Sequence, residues 1–199
     1  MLDANLIAAM HDKATAAWHA GEPLPPDAQQ GLAGDLTTLV LAHHRANHDL
    51  WHKEDEARSP DASDATLAEV KHAIDRHNQR RNDLVEQIDL SLVQEAGAQN
   101  EASPLHSESP GLIIDRLSIL ALKRFHTAEE THRASASDGH RANNLQRLRV
   151  LDQQRGDLAG CLNDLWTEVL RGERRFKLYR QMKMYNDPEL NPVLYGRRR

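Results

Sequence analysis

Ser109-Pro110-Gly111-Leu112-Ile113-Ile114-Asp115-Arg116-Leu117-Ser118-Ile119-Leu120-Ala121-Leu122-Lys123 is the stretch whose reading decides the fold. Ser109 is a good N-cap, and Pro110 suits the first helical position, where its missing N–H costs nothing. Ile113, Ile114, Leu117, Ile119, Leu120 and Leu122 cover more of a helical circumference than the single stripe of a surface helix. The stretch predicts a helix over about 110–133, buried at the centre of a larger helical assembly.

The segments on either side repeat the helical period. A first amphipathic helix spans about 3–20, with Leu6, Ile7, Met10, Ala14, Ala17 and Trp18 on one side, and the Pro-rich run at 21–26 ends it. A second spans about 35–58, with Leu36, Leu39, Val40, Ala46 and Leu50, and Ser59-Pro60-Asp61 breaks it. Asp64 reads as the N-cap of a third over about 65–93, with Leu67, Val70, Ile74, Leu84, Val85, Ile88 and Leu92 on one stripe. After a polar loop and the central helix, a fifth covers about 140–170, with Leu145, Leu148, Leu151, Leu158, Leu162, Leu165 and Val169. A short helix is expected after Gly172, to about 185. Strand-type alternation is missing throughout, and the breaks are short. The fold class is therefore all-α, an antiparallel helical bundle in a single domain over 1–199. Its parts are an N-terminal helix (1–20), hairpins at 35–93 and 110–170, and a basic, aromatic helical tail at 171–199.

A weak repeat relates the hairpins. Gln79-Arg80-Arg81-Asn82-Asp83-Leu84 matches Gln153-Gln154-Arg155-Gly156-Asp157-Leu158 at an offset of 74, and Glu54-Asp55 with Arg58 matches Glu129-Glu130 with Arg133 at 75. Both keep helical phase, which implies two pseudo-symmetric αα-hairpins.

Composition excludes several classes. One Cys in 199 residues builds no internal disulfide framework and no Cys-rich zinc module. No apolar run approaches the roughly 18 residues of a membrane span, and the first residues lack a signal peptide's order, so a cytoplasmic protein is expected. The net charge of −5 is unevenly placed. Residues 171–199 carry nine Lys/Arg against three Asp/Glu, a net of +6, which leaves −11 on the rest. The tail also holds four of the eight aromatic residues. Such a tail can dock on its own acidic body, on another subunit or on an anionic ligand. No basic face continues through the body, so nucleic acid is not an expected partner.

Two arginines fall in the middle of apolar stripes, Arg81 in the third helix and Arg155 in the fifth. A buried guanidinium needs acidic or carbonyl partners. Folding the first hairpin about its break puts Arg81 level with His43 and Asn78 level with Asn47; the second puts Arg155 level with Ser118. This predicts a mid-bundle polar layer of His43, Asn47, Asn78, Arg81, Ser118, Asp152 and Arg155. It can be a closed network that sets helix register, or a pocket whose two guanidinium forks bind a phosphate or carboxylate.

Metal and catalytic patterns are weaker. His44, His48 and His52 share one helical face, but that face points away from the expected core, so a built site is not expected there. Glu69-x-x-His72 and Glu129-x-x-His132 look like the pairs of di-iron bundles, yet the fifth helix lacks one. Glu54-Asp55 with Glu86-x-x-Asp89 is similar to the Mg-dependent all-α nucleotide pyrophosphatases. Hairpin geometry, however, separates Glu54 from Glu86 by about 25 Å at 1.5 Å per residue. With the hairpins in parallel register, Glu54, Asp55, Glu129 and Glu130 instead gather at one end, as a Mg²⁺ site or as ion pairs with Arg58 and Arg133. Cys161 reads as structural.

Four motifs carry a family resemblance: Trp51-His52-x-Glu54-Asp55-x-x-Arg58; Ile74-Asp75-x-x-Asn78-Gln79-x-Arg81-x-Asp83; the stretch from Ile114 to Lys123; and Tyr179-Arg180-Gln181-Met182-Lys183-Met184-Tyr185-Asn186-Asp187 with Leu190-Asn191-Pro192-Val193-Leu194-Tyr195. Over about 35–195 the chain resembles the bacterial family catalogued as domain of unknown function 4254. That resemblance implies a motif including Glu54, Asp55, Asp75, Asn78, Asp83, Glu86, Asp115, Lys177, Tyr179, Lys183 and Tyr185. It names no activity. It implies gene neighbours of glycosyltransferase and lipopolysaccharide type, and so a cytosolic role in surface-glycan assembly.

The expected function is binding or processing of a phosphorylated sugar or nucleotide-sugar. Arg81 and Arg155 would hold the anion, with His43, Asn47, Asn78 and Ser118 around it. Lys177, Tyr179 and Lys183 would close over it, and Glu54 or Asp55 would act as acid–base group or Mg²⁺ ligand. The rivals are a non-enzymatic partner of a glycosyltransferase and a pyrophosphatase-like enzyme. Homodimerisation through an exchanged tail is compatible with each.

Overall fold

The structure, a computed structural model, describes residues 2–24, 34–180 and 189. Among the described residues there are five helices: α1 (Ala4–Ala20), α2 (Gly34–Glu56), α3 (Asp64–Ala96), α4 (Pro110–His132) and α5 (Asp138–Leu170). Each of the four start signals in the described chain is a short polar side chain accepting from the first turn. Asp3 accepts from the N–H groups of Asn5 and Leu6, Ser63 from Thr66, Ser109 from Leu112 and Ser137 from His140. The third helix is thus capped by Ser63, one residue before the expected Asp64. Gly21, at φ +69°, closes α1 in the left-handed conformation that a side chain would resist.

The hairpins α2–α3 and α4–α5 form as expected, and α4 contacts every other helix. Its Ile113, Ile114, Leu117 and Leu122 are fully buried with Ile88 and Leu92 of α3 and Leu162 of α5. Burying each such side chain contributes about 1.5–3 kcal/mol. Helix α1 lies across α2, α4 and α5, inserting Ala4, Ile7 and Met10 into the same core. Gly111 allows α3 and α4 to touch closely. A Cβ there would lie 2.8 Å from the Val85 carbonyl oxygen and from Asp89 Oδ1.

Residues at the repeat offset meet across α2 and α4. His44 Nδ1 and Ser118 Oγ are 2.7 Å apart, and the Trp51 and His126 rings stack at 5.1 Å and 10°. Helices α2 and α4 therefore run parallel, in the register that the repeat implies.

The tail departs from the expected helix. Gly172 (φ +71°) follows α5, and the chain then runs extended beside the 97–109 loop. Arg175 N–H donates to Pro104 O at 3.1 Å, and His106 N–H donates to Arg175 O at 2.8 Å. Phe176 is buried in the core cluster, and its N–H donates to Gln99 Oε1 at 2.9 Å. These backbone groups are spent on the loop and cannot serve a helix over 171–180. The part of the expected tail helix over 181–185 lies outside the described residues.

Candidate functional site

Asp115, in the second turn of α4, organises the buried polar layer. Arg81 of α3 grips its carboxylate with both fork arms, Nε donating to Oδ1 at 2.6 Å and an Nη to Oδ2. His43 Nε2 donates to Oδ1 at 2.9 Å, and Asn47 Nδ2 donates to it at 3.0 Å. Burial alone would raise the Asp115 pKa, but the Arg81 and His43 hydrogen bonds outweigh it and hold the carboxyl well below its ordinary range. Asn47 also donates to Ser118 Oγ at 3.0 Å, which leaves the Ser118 hydroxyl to donate to His44 Nδ1. His44 Nε2–H then points between Thr15 Oγ1 (2.8 Å) and the His11 carbonyl (3.0 Å). One proton order satisfies the run Asn47–Ser118–His44–Thr15, from α2 through α4 to α1, while the buried Nδ1 of His43 has no partner.

This network brings together His43, Asn47, Arg81 and Ser118, four of the expected layer residues, and it adds Asp115, His44 and Thr15. Asn78 lies almost one turn before Arg81, half-buried and outside it. Arg155 does not join. It pairs with Asp12 of α1, which also takes Arg124 at 3.0 Å, while Asp152 pairs with Arg124 at 2.6 Å. The two-guanidinium pocket is therefore not formed. α1 lies across α4 and α5 and supplies a carboxylate to Arg155 that the hairpin geometry could not foresee.

Two hollows share Trp51 as a wall. The smaller, about 230 Å³, is lined by Asn47, Glu54, Asp55, Arg58 and Arg81 with apolar neighbours from α2 and α4. The larger, about 640 Å³, is a groove between α4 and α5. Trp51 and His126 stack in its wall, with Lys123, Arg147 and Glu130 and the carboxamides of Asn143, Asn144, Gln146 and Gln154 around them. A third hollow of about 700 Å³ continues along α4 and α5 past Lys123 and Gln154 to Cys161, which is exposed rather than a core residue.

The four carboxylates proposed for Mg²⁺ do not converge. Arg58 holds Glu54 at 3.2 Å and Asp55 at 3.4 Å; Glu129 accepts from His126 at 2.9 Å; Glu130 faces His140 at 2.6 Å and Arg133 at 3.0 Å. Local i,i+3 and i,i+4 partners have taken each of them. Glu69, His72, Glu129 and His132 are exposed, which removes the di-iron pattern. Lys177 and Tyr179 do not close over Arg81. Their anchor Phe176 sits on Gln99, beyond the far end of α3, and Arg81 to Ala96 is about 22 Å of helix. Lys183 lies outside the described residues.

The histidine face of α2 is a correction. His44 and His48 are buried because α1 covers them: His44 stacks on His11 at 4.4 Å and on Trp18 at 5.3 Å, and His48 meets His19 at 5.0 Å. Asp115, named in the family motif but not placed in the polar layer, left a signal as the one carboxylate between Ser109 and Lys123. Asp12, Thr15 and His11 left none, since only docking of α1 gives them partners.

No curated protein and no solved structure matches this chain. A family model described as Protein of unknown function (DUF4254) matches residues 37–178, which takes in α2 to α5 from Thr37, the Asp115 network on those helices and the docked segment to residue 178. With most of its length so matched, the chain belongs to that family.

Proposed function

We propose that the chain binds a phosphorylated sugar or nucleotide-sugar in the groove between α4 and α5. The observation that carries this reading is the composition of that groove. It has the volume of a small-molecule site, a stacked Trp51–His126 wall, two cations and four carboxamides. An aromatic face suits the apolar face of a sugar or a base, carboxamides suit hydroxyls, and Lys123 with Arg147 suit a phosphate. Glu54 and Asp55, across Trp51 in the smaller hollow, would supply the acid–base group. The gene neighbourhood implied by the family resemblance supports surface-glycan assembly in the cytoplasm as the setting. Calorimetric titration of the untagged chain with UDP-glucose, GDP-mannose and glucose 1-phosphate, with and without Mg²⁺, tests it. Binding of at least one, weakened about tenfold or more in Trp51→Ala and Lys123→Ala, is expected, since each loses a contact of roughly 1.4 kcal/mol. No heat with any probe, or unchanged affinity in both variants, removes the reading.

The pairing of both stripe arginines by internal carboxylates favours a second reading, a non-enzymatic partner of a glycosyltransferase. Deletion of residues 181–199 leaves Phe176 seated and isolates the remaining tail. Under this reading, co-purification with the transferase is lost in the deleted chain; retained co-purification rejects the tail as the docking element.

A further inference from the structure

The most unusual cluster outside the groove is a group of imidazoles where α1 crosses α2. His19, His48 and His52 each offer a ring nitrogen, and these atoms lie within 4.8 Å of one another. His48 is buried, His19 is half-buried and His52 is exposed. The hydrogen bonds fix which nitrogens carry lone pairs. His19 Nδ1 is 2.8 Å from the Thr15 carbonyl, which only accepts, so Nδ1 holds the proton and Nε2 is bare. That Nε2 is buried and has no hydrogen-bond partner, a costly state for a polar atom. His48 Nδ1 faces the Asp49 carboxylate at 3.3 Å, which leaves its Nε2 bare too. His52 Nε2 stands 3.3 Å from His48 Nε2.

We propose that His19, His48 and His52 form a binding site for one divalent transition-metal ion of the zinc class, which clips α1 to α2. The His48–His52 spacing of 3.3 Å fits, because two nitrogens about 2.1 Å from a tetrahedral zinc are about 3.4 Å apart; the His19 nitrogen, within 4.8 Å of both, closes in by a small rotation of its ring. The donor set fits as well: imidazole suits zinc and its first-row neighbours, whereas Mg²⁺ and Ca²⁺ prefer oxygen. The Thr15 carbonyl and the Asp49 carboxylate act as the outer partners that orient metal-bound histidines. Binding needs one rearrangement. His52 moves its proton from Nε2 to Nδ1, which its exposure to water allows, and no net charge changes on the ring. Three protein ligands leave a fourth position, and His126 is the next imidazole, its ring 4.9 Å from that of His19. The three ligands themselves lie outside the sugar groove, and of these imidazoles only His126 lines its wall.

The test uses the untagged full chain, stripped with a chelator and titrated with Zn²⁺ by calorimetry and with Co²⁺ as a spectroscopic probe. One equivalent of Zn²⁺, a rise in Tm and the visible bands of tetrahedral Co²⁺ are expected. His52→Gln and His19→Gln should each weaken Zn²⁺ about a hundredfold or more, beyond the loss typical of an outer partner. His72→Gln, at an exposed position on α3, should leave the isotherm unchanged. His52 is exposed, so its variant folds, and an unaltered far-UV spectrum verifies this. Absence of the Co²⁺ bands in the native chain, or an unchanged Zn²⁺ isotherm in His52→Gln, overturns the assignment.

Discussion

At the scale of single residues, the two stripe arginines look equivalent in sequence and differ in surroundings. Arg81 is 24% exposed and faces an Asp115 side chain that is only 9% exposed, with two further donors, His43 and Asn47, on that carboxylate. Arg155 faces Asp12, 36% exposed and shared with Arg124. Removing Arg81 strands a charge that α4 cannot hand to water, whereas Asp12 keeps both water and a second arginine. Arg81→Leu is therefore expected to cost about 3 kcal/mol and Arg155→Leu less than about 1 kcal/mol, read from urea unfolding curves. Equal losses would contradict the pairing described. Arg81 was legible because a charge on an apolar stripe demands a partner. The identity of that partner was not, since Asp115 lies on a helix from the other hairpin and hairpin geometry relates only neighbours within one.

At the scale of elements, the α3–α4 junction has its own titration. Asp89, buried beside Gly111, accepts from the Ser109 hydroxyl and from Gly111 N–H at 2.6 Å. Burial outweighs those hydrogen bonds and pushes its carboxyl up to about 6. The folded state thus holds a proton that the unfolded chain releases near pH 4. The resulting stability is complete below about pH 4 and is lost as pH rises through about 6, a change of roughly 3 kcal/mol. Asp89→Asn removes this contribution. The stability of the native chain minus that of the variant should fall by that amount between pH 4 and 7, measured by urea unfolding; parallel curves would refute it. The difference cancels the histidines, which titrate in both proteins. The elements themselves were the most legible level, because helical period, caps and breaks are all local. Two elements escaped. The 171–176 segment reads as helical until the 97–109 loop claims its backbone. The histidine face of α2 reads as solvated until α1 covers it.

At the scale of the whole molecule, two hairpins of local contacts are locked by one helix from the chain's beginning. The Ala4 N–H reaches Asn163 Oδ1 of α5 at 2.9 Å, across 159 positions. Closing so long a loop costs entropy that no local contact repays, so it belongs late in the folding reaction. The hairpins are expected to gain helicity first, and α1 to dock in a separate, slower step. Trp18 reports that step, since its ring stacks on His44 only when α1 is seated. In stopped-flow refolding of a chain that keeps Trp18 as its sole tryptophan, the change in emission should lag the far-UV signal. Coincident traces would show that α1 belongs to the nucleus. A helix that arrives last is also the first to leave, so brief native-state openings would bare the α2 histidines before either hairpin loosens. In amide hydrogen exchange, α1 would then mark the least protected cooperative unit of the bundle.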